Sequence, residues 1–173
     1  MDPVLRTDRL SLRRLDDVDA GFLVELLNEP SFLRYIGDKN VRDDEGARRY
    51  LAEGPKASYA LHGYGLLLVS TLDGEKAGMC GLLKRDWLPD PDIGFAFLPR
   101  FWSRGYAYES AAAVLAHGRR AWGVGRVAAI TSPDNEPAIS LLKKLGFRVE
   151  REAVAPAGGG EVKVFASEPP PAG

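Results

Sequence analysis

Thiol chemistry has almost nothing to work with in this chain. Cys80 is its one cysteine, so no intramolecular disulfide can form, which fits a reducing, cytoplasmic address. Histidine is nearly as scarce. His62 and His117 stand far apart with no Cys or His partner at ligand spacing, so no metal centre is expected. No apolar run approaches the ~20 residues that cross a bilayer, and the charged start Met1–Arg9 lacks the apolar stretch of a secretory signal. Neither charge is in excess: 23 Lys and Arg against 24 Asp and Glu leave a net of −1, which removes any global attraction to nucleic acid or a membrane surface. An anionic ligand must therefore be held by local geometry. Internal repeats are missing, and the one low-complexity stretch is the proline-rich end, residues 169–173, expected as a flexible tail.

What is present is an ordinary core-forming composition, 45% apolar in 173 residues, which predicts a single domain over residues 1–168. Leu10-Ser11-Leu12-Arg13 alternates as a short strand, and Asp16-Asp17 then offers N-cap carboxylates to a helix through Phe22, Leu23, Leu26 and Leu27. A more polar helix follows Asp43-Asp44, leaving Ser31 to Arg42 as an irregular connection containing Tyr35. Two apolar runs, 65–71 and 76–83, flank Asp73-Gly74 and predict a hairpin. Pro91 to Leu98 reads as a third strand, with Asp92, Gly94 and Ala96 on the face opposite Ile93, Phe95 and Phe97. From Gly105 the period becomes helical through Trp122; a strand at 126–131, a short helix closed by Gly146, and strands at 148–154 and 162–167 complete the chain. This order makes a mixed α/β domain of the α+β kind rather than a bundle or a sandwich.

Trp102-Ser103-Arg104-Gly105-Tyr106-Ala107 separates the third strand from the longest helix. Unpaired N–H groups at that helix start form an anion site, Gly105 and Ala107 admit a ligand to the backbone, and Arg104 adds a cation. A pyrophosphate suits such a place. A well-packed helix start would use the same small residues, so spacing alone leaves both readings open. The company favours the anion site: the next strand ends in Ser132-Pro133-Asp134-Asn135, and if the two strands run parallel Asn135 shares an edge with Gly105.

Four ordered segments, Thr7–Arg13, Ile93–Pro99, Phe101–Glu109 and Asn135 through Leu145-Gly146-Phe147, together resemble the GNAT superfamily of acyl-coenzyme A-dependent N-acetyltransferases and within it the RimJ/RimL-like branch. The resemblance implies a mostly antiparallel sheet of six to seven strands with a splayed parallel pair, flanked by about four helices. It implies acetyl-CoA as co-substrate and a primary amine as acceptor, borne by a small molecule or a protein N-terminus, in a monomer or homodimer. Carried over by position, the main chain of Phe97 and Leu98 would meet the pantetheine arm. Arg104, Gly105, Tyr106 and Ala107 would cradle the pyrophosphate beside Trp102, Asn135 would lie along the coenzyme, and Lys143 would reach its phosphates. A backbone N–H near Phe97 or Leu98 would polarise the acetyl carbonyl, and Asp92 would be the base.

One departure stands out. The hydroxyls that relatives carry as leaving-group acids fall here at Ala138 and Leu142, and Ser140 faces about 200° away from Ala138 on a helix. Tyr35 and Tyr106 are the replacement candidates, unless a thiolate leaves unaided. A coenzyme-binding regulatory module without turnover is the rival reading, and a scaffold that binds no coenzyme is a third. Gly123-Val124-Gly125 opens a dinucleotide-like string, but a strand follows where that fingerprint needs a helix. Cys80, between small residues in a strand, reads as a core thiol.

Overall fold

Period-two patterning at the start of the chain pairs β1 (Leu5–Arg6) with β2 (Leu10–Arg14). The computed structural model describes residues 1–171, so Ala172 and Gly173 of the expected tail lie outside the described residues. Asp16 then caps a 3-10 turn, Asp17–Asp19, in a reciprocal capping box, and the turn runs directly into α1 (Ala20–Leu27). Three more helices follow: α2 (Pro30–Tyr35), α3 (Asp44–Glu53) and α4 (Pro55–His62). The hairpin of β3 (Leu66–Thr71) and β4 (Lys76–Leu83) forms as its turn residues require, and β5 (Asp92–Phe97) continues the antiparallel series. Helix α5 (Tyr106–Ala121) crosses back, so β6 (Val127–Thr131) lies parallel to β5.

Helix α6 (Glu136–Lys144) leads to β7 (Arg148–Ala155) and β8 (Gly160–Ser167). The sheet order is β1-β2-β3-β4-β5-β6-β8-β7, with β8 slotted between β6 and β7. Leu67, Val69, Cys80, Leu82, Val114, Val127 and Phe165 belong to the main buried cluster, which joins sheet to helices. Burial pushes the Cys80 thiol up to about 12, so it stays a protonated core group.

The architecture is the GNAT-type mixed sheet, with eight strands and six α-helices among the described residues. The extra strand is the two-residue β1. The segment from Ser31 is not wholly irregular, because Pro30 sets the φ of a helix start and Phe32 buries against the core. Helix α4 lies where no element was expected; Pro55 opens it by the same device, and Tyr59 anchors it.

Candidate active site

Strands β5 and β6 make a single bridge, Asp92 with Ala128, and then part. The Leu98 N–H donates to the Ala77 carbonyl of β4 and the Ala128 N–H to the Pro91 carbonyl. Backbone groups alternate sides along a strand, so the N–H groups of Phe95 and Phe97 face β6 across the gap. These are the donors that a ligand lying between the strands would meet. Leu98 is a correction to the sequence expectation. Its N–H is engaged by Ala77 and its carbonyl accepts from the Phe101 N–H, so it has no main-chain group to offer. The Phe97 carbonyl is engaged too, because the Trp102 indole donates to it at 2.8 Å. Trp102, otherwise half exposed, thus fixes the loop against the end of β5.

Past that loop, Gly105 stands at φ 80°, the left-handed region, and begins α5 with no side-chain cap. The first ladder bond runs from the Glu109 N–H to the Gly105 carbonyl, which leaves the N–H groups of Tyr106, Ala107 and Tyr108 without a helical partner. Arg104 and Gly105 are exposed beside them. What holds this helix start in place comes from far off in the chain. Glu109 accepts from the Thr7 hydroxyl at 2.6 Å, from the Arg9 N–H at 3.2 Å and from Arg9 Nε at 2.8 Å, while Arg9 Nη1 donates to the Arg104 carbonyl. Burial alone would push the Glu109 carboxyl up, but the bonds from Thr7 and Arg9 hold it below its usual range. The turn before β2 therefore straps the loop from behind. Replacing Glu109 by Ala releases that strap, and the expected result is a loss of about 1 kcal/mol of stability by denaturant titration, the worth of one lost hydrogen-bonded contact.

A cavity of about 850 Å³ opens between the parted strands and extends under α2, α3 and α4. Asp92 and Asn135 line it, as does Tyr35 at the end of α2, whose ring carries the Arg34 guanidinium at 4.8 Å. Tyr106 does not line it: that ring packs near Phe101 and under Arg9, at 4.9 Å from its guanidinium carbon. The acid role expected of Tyr106 has no support from this placement. Asn135 caps α6 through Oδ1, which accepts from the Ala138 N–H, and its amide nitrogen has no hydrogen-bond partner among the described residues. Lys143 is exposed in the last turn of α6, whereas its neighbour Lys144 reaches back to Tyr108 in the first turn of α5.

Two cavity residues escaped the sequence reading. Thr131, 7% exposed at the end of β6, has a buried hydroxyl with no partner among the described residues. Parity places it on the same face of β6 as Val127 and Ala129, which a strand reading of 126–131 contains without singling out. Tyr50 of α3 lines the opposite wall, and burial pushes its hydroxyl up to about 12 despite the opposing charge of Arg85.

Asp92 is 1% exposed, and Arg85 Nε donates to both of its oxygens at 3.1 Å. Burial pushes its carboxyl up, and the Arg85 guanidinium opposes that. Among the described residues no cluster of three or more His, Cys, Asp or Glu is placed to hold a metal ion, and no helix is long and apolar enough to cross a membrane.

A family profile described as the Acetyltransferase (GNAT) domain matches residues 9–148. The chain belongs to the GNAT acetyltransferase family. YkkB of Bacillus subtilis, an uncharacterised protein, is 31% identical over 85% of this chain and 86% of its own length. YoaA of the same organism, described as an N-acetyltransferase, is 29% identical over 87% and 85%. Among solved structures, RimL, the ribosomal L7/L12 alpha-N-protein acetyltransferase in complex with coenzyme A, superposes with a TM-score of 0.83 at 18% identity, covering 97% of this chain and 98% of that one. At that identity the likeness is one of fold. For a GNAT acetyltransferase, the parted strands and the uncapped start of α5 are features of this chain's own geometry that suit an extended, diphosphate-bearing co-substrate.

Proposed function

We propose that this GNAT protein moves an acetyl group from acetyl-CoA to a primary amine by direct attack within a ternary complex, in the cytoplasm. The observation that carries the reading is the parting of β5 from β6 after one bridge, beside a sixteen-residue helix whose N-terminal N–H groups have no cap. The N–H groups of Tyr106 and Ala107, with Arg104, grip the pyrophosphate; Gly105 keeps that surface bare. Phe95 and Phe97 meet the pantetheine arm through the main chain, and Asn135 does so through its amide. Lys143 and Lys144 supply positive charge at the outer end. The bound thioester supplies an activated acetyl carbon, whose carbonyl oxygen a β5 N–H polarises.

The amine nitrogen bonds to that carbon as the carbon–sulfur bond breaks, and the amine's proton passes to Asp92. Near-complete burial and the Arg85 contact direct that transfer through a water rather than by direct contact. The leaving thiolate takes a proton from Tyr35, or finds a hydrogen bond at the unpartnered Thr131 hydroxyl.

Calorimetry with acetyl-CoA, followed by thiol release over a panel of amines, tests the reading. Tight binding with turnover on at least one amine supports it; binding without turnover on any leaves a coenzyme-binding module. Asp92→Asn is expected to lower kcat about 100-fold, the usual scale for a lost general base. It also erases the acidic limb of the pH–rate profile, because the wild-type carboxyl, raised by burial, must lose its proton before it can act. An unaltered profile clears Asp92 of the role.

A further inference from the structure

Arg85 has a use that acetyl transfer as such leaves unfilled. Its Nε is bound to Asp92, yet neither terminal nitrogen has a hydrogen-bond partner among the described residues, and the side chain, 35% exposed, lines the cavity. The guanidinium cannot swing away without stranding a buried carboxylate, so its outer edge is held toward the cavity. Lys39, itself exposed, lines the same cavity, and so does Tyr50. Lys84 is turned aside: its ammonium donates to the carbonyls of Arg85 and Leu88. Glu53 and Glu161, exposed like Lys39, line the cavity too, and neither pairs with Arg85 or Lys39. A two-pronged donor, backed by a buried carboxylate and sharing its cavity with a second cation, is a seat for an anion.

That seat is not the coenzyme's. Asp92 and Phe97 are the two ends of β5, roughly 17 Å apart along an extended strand, and the anion-binding helix start lies beyond Phe97. Phe95, whose N–H faces the gap, is three residues from Asp92, roughly 10 Å. An acceptor whose amine reaches the thioester and whose anion reaches Arg85 therefore carries the two groups within roughly 10 Å of each other, the scale of a small molecule.

We propose that the acceptor is a small amine bearing a carboxylate, which Arg85 binds through its two terminal nitrogens. The proposal rests on the acetyl-transfer reading. Asp92 then has two tasks at one place, orienting Arg85 and relaying the proton. Polyamines are disfavoured, because they bring only positive charge to Arg85 and Lys39.

The test compares kcat/KM for a set of α-amino acids with their carboxamides and with spermidine, beside calorimetric binding of acetyl-CoA. Each acid is expected to exceed its amide by at least about tenfold, the worth of a charge-assisted pair. Arg85→Gln is expected to bring that ratio to about one, and Arg85→Lys to restore part of it. A merely structural role for Arg85 would lower both rates and leave the ratio alone. The wild-type ratio carries the test by itself if the variant folds poorly. Turnover of amides or spermidine at rates matching the acids overturns the proposal while acetyl transfer stands. A ratio that survives Arg85→Gln overturns it as well. Absence of acetyl-CoA binding overturns both together.

Discussion

Gly105→Glu is expected to weaken coenzyme A binding more than about 100-fold while the protein stays folded. Two effects converge at this position. Among the described residues the α5 N-terminus has unpartnered N–H groups and no side-chain cap, and a carboxylate planted there competes for those donors and neutralises the helix's partial charge. Losing two charge-assisted hydrogen bonds is enough for a change of about 100-fold. A side chain also has to adopt φ 80°, and its Cβ would sit 3.2 Å from Arg9 Nη2. Left-handed backbone at a non-glycine residue costs about 1–2 kcal/mol, within the roughly 5–15 kcal/mol by which domains are stable. Calorimetry gives the affinity and a thermal scan confirms folding. Wild-type affinity in the variant would remove the pyrophosphate assignment.

Asp19→Ala is expected to cost about 3 kcal/mol, the low end for breaking a buried ion pair, and to lower Tm by roughly 10 °C. The Asp19 side chain is fully buried at the junction of three elements. Oδ1 accepts from Arg13 of β2 and Lys76 of β4, both at 2.8 Å, and Oδ2 accepts from Arg13 Nη1 and the Asp16 N–H, both at 2.9 Å. Burial by itself would raise the carboxyl; the bonds from Arg13, Lys76 and Asp16 override it and hold the pKa at about 2 against an ordinary 3.8. Because the folded value lies below the unfolded one, the stabilisation is complete above pH 3.8 and fades as pH falls toward 2. Denaturant midpoints for the wild type and Asp19→Asn should therefore converge over that interval. A gap that stays constant in acid would show that Asp19 contributes through shape rather than charge.

Legibility along the chain followed the range of the interaction. The β3–β4 hairpin and the start of α5 at Gly105 depend on neighbours in sequence, so local pattern exposed them. Helix α2 was hidden because only Phe32 of its six residues is buried, too short a signal for helical periodicity. Leu98 was misassigned because Ala77, which takes its N–H, lies on another strand. Arg85 belongs to no local pattern; its value emerged only when Asp92 closed on its Nε and left the other two nitrogens without a partner among the described residues.

From its residues alone the chain set the order of its elements, the bare glycine-led helix start and the lack of a second cysteine. These are matters of backbone preference, period and composition, which act over a few residues. Folding decided which backbone donors were left over, since a strand's N–H is available only if no neighbouring strand claims it. It also decided that Thr7 and Arg9 would clasp Glu109 across about a hundred residues of chain, and that β8 would enter between β6 and β7. Those outcomes follow from pairing across the sheet, where partners are chosen by the burial of whole faces and not by proximity in sequence.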